Sequence, residues 1–166
     1  MKRFYTRERF LEVVSQLRDA RPDIILSTDF IVGFPGETDE DFEQTMSLLD
    51  EVCFASSFSF KYSQRPGTPA LRLLKDEVPP EVAQARLERL QRRQRDISKG
   101  MNAAMAGATV DVLVEGPSRY DEGVVCGRTS GFQMVNFPGS LSLVGQTVPV
   151  HIIAGFTNSL RGEIHA

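Results

Sequence analysis

Cysteine and histidine are scarce in this chain of 166 residues, which has two of each. Cys53 and Cys126 are far apart in sequence, and neither has a second cysteine or a histidine nearby at metal-ligand spacing. Zinc and iron-sulfur sites need several such ligands close together, so the sequence argues against either kind of site built from this chain alone. We expect both thiols to be free, because a disulfide has little support in a reducing compartment.

Long hydrophobic runs are also absent. No stretch approaches the roughly 20 apolar residues that cross a bilayer, and the first six residues lack the apolar core of a secretory signal. We therefore expect a cytoplasmic protein with no membrane partner. Hydrophobic residues make up 41% of the chain and charged residues 25%, which is typical of a folded globular protein.

Charge is distributed unevenly, although the net charge is only −3. Residues 1–78 carry a net −4, residues 79–106 a net +3, and residues 107–166 a net −2. The basic residues of the middle segment are Arg86, Arg89, Arg92, Arg93, Arg95 and Lys99. On a helix, we expect them to form its outer side. A solvated helix face explains such a run, and a phosphate-binding ridge is the alternative.

Helices and strands alternate in the first segment. Thr6 is a helix cap followed by apolar residues at helical spacing, and Thr38 opens the capping signature Thr-Asp-Glu-Asp of a second helix. Each helix precedes a predicted strand rich in β-branched or aromatic residues, residues 24–32 and 55–62. This order predicts parallel strands with a helical crossover. Two strands cannot close a barrel, so we expect further strands upstream.

In each of these strands, alternate residues are polar and would lie on one face. These residues are Ser27, Asp29, Ser57, Ser59 and Lys61. We expect them to share the interior of a barrel, where Asp29 and Lys61 pair with each other or hold a polar ligand. Phe58, Phe60 and Tyr62 would then pack beneath helices. A buried ion pair without a chemical role is the alternative.

Residues 79–106 have the pattern of one long helix, with Pro79 at its start, Gly107 past its end and Gly100 as a weak point inside it. Short strands punctuated by Gly, Pro and Asn then predict a small β-barrel. The predicted strands are residues 109–115, 123–129, 132–137, 148–154 and 159–164. Such barrels bind RNA through basic and aromatic side chains, or dock other proteins, and the net charge of this one leaves both open. The candidates are Arg119, Tyr120, Arg128, Phe132, Asn136, Phe137 and Arg161.

Several motifs make the chain recognisable. Residues 27–38 (STDFIVGFPGET), followed by residues 58–63 (FSFKYS) and 65–69 (RPGTP), resemble the last part of the radical S-adenosylmethionine (SAM) domain of methylthiotransferases. The terminal barrel resembles a TRAM domain. Residues 135–139 (VNFPG) and 158–163 (NSLRGE) favour the MiaB branch, which acts on the isopentenyl-modified adenosine of tRNA next to the anticodon. The resemblance covers essentially the whole chain.

The resemblance implies a fold that is α/β and then all-β. Residues 1–78 would be the C-terminal portion of a partial (β/α) radical SAM barrel, residues 79–106 a long basic linking helix, and residues 107–166 a TRAM-type β-barrel. For the whole protein it implies S-adenosylmethionine and two four-iron four-sulfur clusters. A 5′-deoxyadenosyl radical removes hydrogen from adenine C2, where a methylthio group is installed. The implied partner is a tRNA anticodon stem-loop; we expect no DNA partner, and the oligomeric state stays open.

The resemblance also assigns residues to the cofactor side. These are Ser27, Asp29, Ile31, Gly33, Ser59, Lys61 and Tyr62. Ile31 and the backbone around Tyr62 would flank the adenine of the cofactor, and Asp29 or Lys61 would hold polar atoms of cofactor or substrate. From the basic helix and the barrel, the candidates for RNA binding are Arg92, Arg93, Arg95, Arg119, Arg128, Phe137 and Arg161.

One family motif is absent from this sequence. The family binds its catalytic cluster with a Cys-x-x-x-Cys-x-x-Cys motif, which neither Cys53 nor Cys126 can replace. We therefore predict that the chain is a fragment of a longer enzyme, that Met1 need not be a native start, and that this part alone performs no radical chemistry. Two alternatives remain: a non-catalytic RNA-binding module, or a sister-branch methylthiotransferase acting on a ribosomal protein or another modified adenosine.

Overall fold

The computed structural model describes residues 4–70, 77–119 and 121–164. The chain forms two compact units, Met1–Gln94 and Arg95–Ala166. In chain order the first unit contains α1 (Arg7–Ala20), β1 (Ser27–Val32), α2 (Asp39–Val52) and β2 (Ser56–Lys61). The long helix α3 (Pro80–Ala104) begins in the first unit and ends in the second. None of the helices described is both long and apolar enough to cross a membrane.

Both predicted helix caps are confirmed. The Thr6 hydroxyl accepts a hydrogen bond from the Arg9 backbone amide at 3.3 Å and so caps α1. At the start of α2, the Asp41 amide donates to the Thr38 hydroxyl at 3.1 Å, and the Thr38 amide donates to the Asp41 carboxylate at 3.0 Å. Caps of this kind contribute about 1 kcal/mol each, and both lie where the local sequence predicts that a helix begins.

The predicted parallel pairing with a helical crossover is also confirmed. β1 and β2 are parallel and α2 connects them. Phe30 and Val32 of β1 are 8% and 1% exposed, and they belong to a core that includes Phe54, whose ring meets that of Phe30 edge to face at 5.8 Å. Other members of this core are Val14, Phe42, Met46, Leu49, Val52 and Leu90.

The predicted faces of β2 are wrong. Burial of Phe30 fixes the inner face of β1, and directly opposite residues of parallel strands point to the same side of the sheet. Ser59 lies opposite Phe30, so it takes the inner side, whereas Phe58 lies opposite Asp29 on the outer side. Lys61 lies opposite Val32 and therefore does not share a face with Asp29. Hydrogen-bond register, not side-chain polarity, decides the faces.

Helix α3 is continuous through Gly100, and Gly107, at φ +88°, lies past its end as predicted. Leu90 is fully buried and Ala83 is 7% exposed, so one side of the helix packs into the first unit. The prediction that Arg86 belongs to the outer side is wrong, because this residue is only 7% exposed. Two acidic residues near the start of α2 hold its guanidinium there.

The predicted small barrel is confirmed. Its five strands are β3 (Thr109–Pro117), β4 (Val124–Thr129), β5 (Met134–Pro138), β6 (Thr147–Gly155) and β7 (Leu160–Glu163), with a short 3₁₀ helix, η1 (Leu141–Leu143), before β6. The closed order is β3-β4-β5-β7-β6, in which β5 and β7 alone are parallel. The core residues are Val112, Val114, Val125, Val135, Phe137, Val150, Ile152 and Leu160.

Candidate functional site

The outer side of the β1–β2 sheet is an open face with a mixed surface. Ser27, Asp29 and Ile31 of β1 lie on it, opposite Ser56, Phe58 and Phe60 of β2. Ile31, Phe58 and Phe60 are 41%, 68% and 55% exposed. The Asp29 carboxylate is exposed and makes no hydrogen bond with any residue in the described ranges. The open face therefore offers a broad apolar surface beside a free hydrogen-bond acceptor.

A tight loop, Gly33 to Glu37, follows β1 at one end of the open face. Gly33 has φ +69°, a conformation that glycine adopts at little cost. A Cβ on Gly33 would lie 2.6 Å from the Cβ of Ala83 on α3, so the loop approaches the helix closely. Inside the loop, the Phe34 amide donates to the Glu37 carboxylate at 3.0 Å, and the Glu37 amide donates to the Phe34 carbonyl at 2.8 Å.

Tyr62 extends the strand pairing beyond β2. Its amide donates to the Val32 carbonyl at 2.8 Å, and its ring meets the ring of Phe34 at 4.9 Å. Its hydroxyl is buried without a hydrogen-bond partner among the described residues. Of the predicted cofactor-side residues, the structure thus brings Ser27, Asp29 and Ile31 together on the open face and places Gly33 and Tyr62 at its end. Ser59 and Lys61 lie on the other side of the sheet.

The arginines of α3 divide into two groups. Arg86, Arg89 and Arg93 form ion pairs with acidic residues at the start of α2 and along it. Arg92 and Arg95 are exposed, and they have no ion pair or hydrogen bond within the described part of the chain. Three residues apart on a helix, they lie on one side of it. Of the arginines of α3 predicted to bind phosphate, only these two are therefore left without a partner in the described ranges. Lys99 lies on the same side of the helix, one turn further on.

The ion pair of Arg89 also affects the titration of its partner. One guanidinium nitrogen of Arg89 donates to Glu43 at 2.9 Å and the other also contacts this carboxylate. The hydrogen bonds from Arg89 lower the pKa of Glu43, and those to Glu43 raise the pKa of Arg89. Both charges therefore persist over a wide pH range. Arg93 is tied to α2 in the same way, by a 2.6 Å bond from its Nε to Asp50.

The barrel presents a stacked pair at the turn between β4 and β5. Phe132 is 77% exposed and has the unusual φ of +66°. The Arg128 guanidinium lies 5.7 Å from the centre of its ring, donates to its carbonyl at 3.3 Å, and forms an ion pair with Glu115 at 3.2 Å. A stack of this type offers a surface for an unpaired base. Arg161 of β7 is exposed and lies opposite Asn136 of β5.

The other barrel candidates have different positions. Phe137 is 0% exposed in the barrel core, so the prediction that its side chain contacts RNA is wrong. Strand alternation turns it inward, whereas Asn136 lies on the outer side. Arg119 lines an open cleft of about 390 Å³ together with Asp121, Glu122 and Leu141. Tyr120 lies outside the described residues.

The two units match two different family models. The model described as "Radical SAM superfamily" matches residues 1–49, and that described as "TRAM domain" matches residues 103–165. Proteins named tRNA-2-methylthio-N(6)-dimethylallyladenosine synthase are similar over 99% of the chain. Identity is 47% for that of Xylella fastidiosa (strain M12), 52% for that of Xanthomonas campestris pv. campestris (strain B100), and 51% for that of Methylococcus capsulatus.

The chain is a homologue of these synthases. It spans about a third of their length, with shares of 33%, 34% and 36% for the three relatives above. The predicted resemblance to the radical SAM methylthiotransferases, with a TRAM domain after the radical SAM segment, is confirmed. The remaining two thirds of the relatives lie outside the sequence in hand.

The residues present do not fit an iron-sulfur cluster. No group of three or more His, Cys, Asp or Glu side chains able to hold a metal ion occurs in the described ranges. Cys53 is the left-handed residue that ends α2, and Cys126 lies on β4 in the other unit. The residues in the described ranges therefore provide no ligand set for the cluster of a radical SAM protein.

The residues present do fit one side of a site for S-adenosylmethionine. Ile31 and Phe60 give the open face an apolar surface suited to an adenine ring, and the Asp29 carboxylate is free to accept hydrogen bonds from hydroxyl or amino groups. The buried Tyr62 hydroxyl, unpartnered in the described residues, is a further polar atom at this end of the sheet. In radical SAM proteins, this cofactor supplies a reactive carbon radical when bound. The residues here would orient it and exclude water.

Sequence reasoning missed two features of the site. Phe58 and Phe60 were expected beneath helices, and only the register against β1 reveals that they belong to the open face. The pairing of α3 with α2 was missed as well, although a signal was present. Acidic residues recur along α2 at Asp39, Glu43 and Asp50, and the arginines that they meet recur on α3 with helical spacing.

Proposed function

We propose that the chain is the C-terminal part of a tRNA 2-methylthio-N6-isopentenyladenosine synthase, which installs a methylthio group at C2 of the modified adenosine next to the anticodon. The observation that carries the proposal is the sequence similarity to synthases of that name. About half of the residues are identical, along 99% of the chain. The order of a radical SAM segment and a TRAM domain supports it.

Each predicted segment has a part in this function. Residues 1–78 contribute one wall of the cofactor site through the open face and the Gly33–Glu37 loop. Residues 79–106 and 107–166 bind the anticodon stem-loop of the tRNA through exposed cations and the Arg128–Phe132 stack. The clusters are bound by parts of the enzyme outside this sequence, and the reaction takes place in the cytoplasm, where tRNA is modified.

The function is tested in a bacterial strain that lacks its own synthase and accumulates isopentenyladenosine without the methylthio group. Expression of the full-length protein that carries this chain is expected to convert that nucleoside to its 2-methylthio form, as measured by mass spectrometry of tRNA digests. The 166-residue chain alone serves as the control and is expected to give no conversion, because it has no cluster ligands. A well-expressed full-length protein that leaves the tRNA unchanged would refute the proposal.

The two groups of arginines predict different effects on tRNA binding. Replacing Arg92 and Arg95 together by Gln is expected to weaken binding and to lower the slope of log affinity against log salt by about two, since each lost phosphate contact removes about one. Arg93→Gln is the matched control, because Arg93 is paired with Asp50. The measurement is a salt titration of stem-loop binding. A decrease of about one in the slope for Arg93→Gln, half that of the double variant, would assign the effect to general charge.

The observation that favours the RNA-binding module as a second function is the stacked Arg128–Phe132 pair on a complete barrel. Such a module would bind RNA without modifying it. Stem-loop binding in the salt titration, without conversion by the full-length protein in the strain experiment, would support this reading. Conversion of a ribosomal protein or of another modified adenosine, with isopentenyladenosine left unmodified, would instead support the sister branch.

A further inference from the structure

One arginine of α3 is buried although it carries a charge. The side chain of Arg86 is 8% exposed. Its Nη1 donates to the Glu37 carbonyl at 3.2 Å and to the Glu37 carboxylate at 3.1 Å, while Nη2 donates to Asp39 at 2.7 Å. The Phe42 ring lies 5.6 Å from the guanidinium carbon. A buried charge is costly unless it is paired, so these contacts hold the guanidinium in one position.

The same contacts fix the loop that follows β1. Glu37 is held at three points: Arg86 binds its carbonyl and one carboxylate oxygen, and the Phe34 amide binds the other carboxylate oxygen. Ala83, three residues before Arg86 on α3, makes the close approach to Gly33 at the other end of the loop. One side of α3 therefore contacts both ends of the loop.

We propose that Arg86 is a positioning residue for the cofactor site, acting through Glu37 to hold the Gly33–Glu37 loop and the end of β1 in place. This inference rests on the proposed function, since it concerns the same open face. The contacts of Arg86 are to Glu37, Asp39 and Phe42, so it supports the site without lining it. Its planar fork binds two carboxylates and a carbonyl at once, which the single ammonium of lysine cannot reproduce.

Hydrogen exchange in the full-length protein tests the loop directly. In Arg86→Met, the Phe34 and Glu37 amides are expected to exchange about tenfold to a hundredfold faster, because charged hydrogen bonds that closed the loop are lost. Arg89→Met is the matched control: this arginine lies one turn further along α3 and also stacks on Phe42, but its carboxylate partner is Glu43. It should leave both loop amides unchanged.

Two further variants keep the test valid if Arg86→Met folds poorly. Arg86→Lys should restore part of the protection, since it keeps the charge but carries all its donors on one nitrogen. Glu37→Gln should reproduce the faster exchange from the other side of the contact. Loop amides that remain as protected in Arg86→Lys and Glu37→Gln as in the unaltered protein would overturn the inference.

Kinetics of the full-length enzyme separate positioning from simple stability. Arg86→Lys is expected to raise the KM for S-adenosylmethionine about tenfold, with a smaller change in kcat, and Arg89→Lys should change neither. If the unaltered enzyme does not cleave S-adenosylmethionine, the proposed function fails, whereas the exchange result still decides the role of Arg86 in the loop. If the unaltered enzyme is active and the two lysine variants share its KM, the inference fails and the proposed function stands.

Discussion

Replacing Phe137 by alanine is expected to lower the free energy of unfolding of the barrel by about 3 to 5 kcal/mol, the range for a fully buried phenylalanine. Phe137 is 0% exposed and lies among the apolar side chains of all five strands. The cavity left behind could close only by moving strands that are hydrogen-bonded on both sides. Urea unfolding followed by the NMR signals of the Val135 and Ile152 methyl groups measures the effect.

Phe132 is the matched control for this substitution. It lies in the turn that leads into the same strand but is 77% exposed, so Phe132→Ala should change the free energy of unfolding by no more than about 0.5 kcal/mol. In RNA binding, Phe132→Ala should have the larger effect of the two variants, since only Phe132 is accessible to a base. A barrel that tolerates Phe137→Ala as well as Phe132→Ala would contradict the assignment of Phe137 to the core.

Replacing Gly33 by alanine is expected to destabilise the first unit by about 2 to 4 kcal/mol. The left-handed backbone at φ +69° costs a non-glycine residue about 1 to 2 kcal/mol, and the new methyl group would lie 2.6 Å from the Cβ of Ala83, which adds the cost of overpacking. The free energy of unfolding of the first unit in urea, followed by the Phe34 amide signal, gives the measurement.

Two variants separate the contributions of strain and contact. Gly36→Ala introduces a methyl group at φ +82° with no atom within 4 Å, so it should cost only about 1 to 2 kcal/mol of strain. Ala83→Gly should relieve the contact, so the double variant Gly33→Ala with Ala83→Gly should lose less stability than the sum of the single losses. Simple additivity would show that the close approach of the loop to α3 is not a repulsive contact.

Local signals were sufficient to predict most of the fold. Thr6 and Thr38 cap their helices through residues three positions away, and Gly107 lies past the end of α3. A short stretch of sequence is therefore enough to predict these helix ends. The five barrel strands could be predicted because turn residues separate them at short intervals. The closure of the barrel, including the parallel pair β5 and β7, depends on contacts distant in sequence.

The candidate site was harder to predict, because the environment of its residues depends on contacts that are distant in sequence. Phe58 and Phe60 look like core residues, but the register with β1 places them on the open face. Arg86, Arg89 and Arg93 look like a solvated ridge until α2 supplies their acidic partners. In both cases residue type indicated the wrong environment, since the deciding partner lies more than 25 residues away in sequence.

These corrections narrow the site to fewer residues. For the cofactor, we propose Asp29 and Ile31 with Phe60, next to a loop held by Arg86. For RNA, we propose Arg92 and Arg95 on α3 and the Arg128–Phe132 pair on the barrel. Phe137 is removed from the set of RNA contacts because it is buried, and the ion pair with Asp50 makes Arg93 a weaker candidate than Arg92 and Arg95.

The most direct test is a chimera of the Xanthomonas campestris synthase. In it, this chain replaces the corresponding third of that protein, to which it is 52% identical. The chimera is expressed in a strain without its own synthase, and tRNA digests are analysed by mass spectrometry for 2-methylthio-isopentenyladenosine. We expect the methylthio nucleoside to reappear. A soluble chimera with intact clusters that leaves only isopentenyladenosine would contradict this expectation.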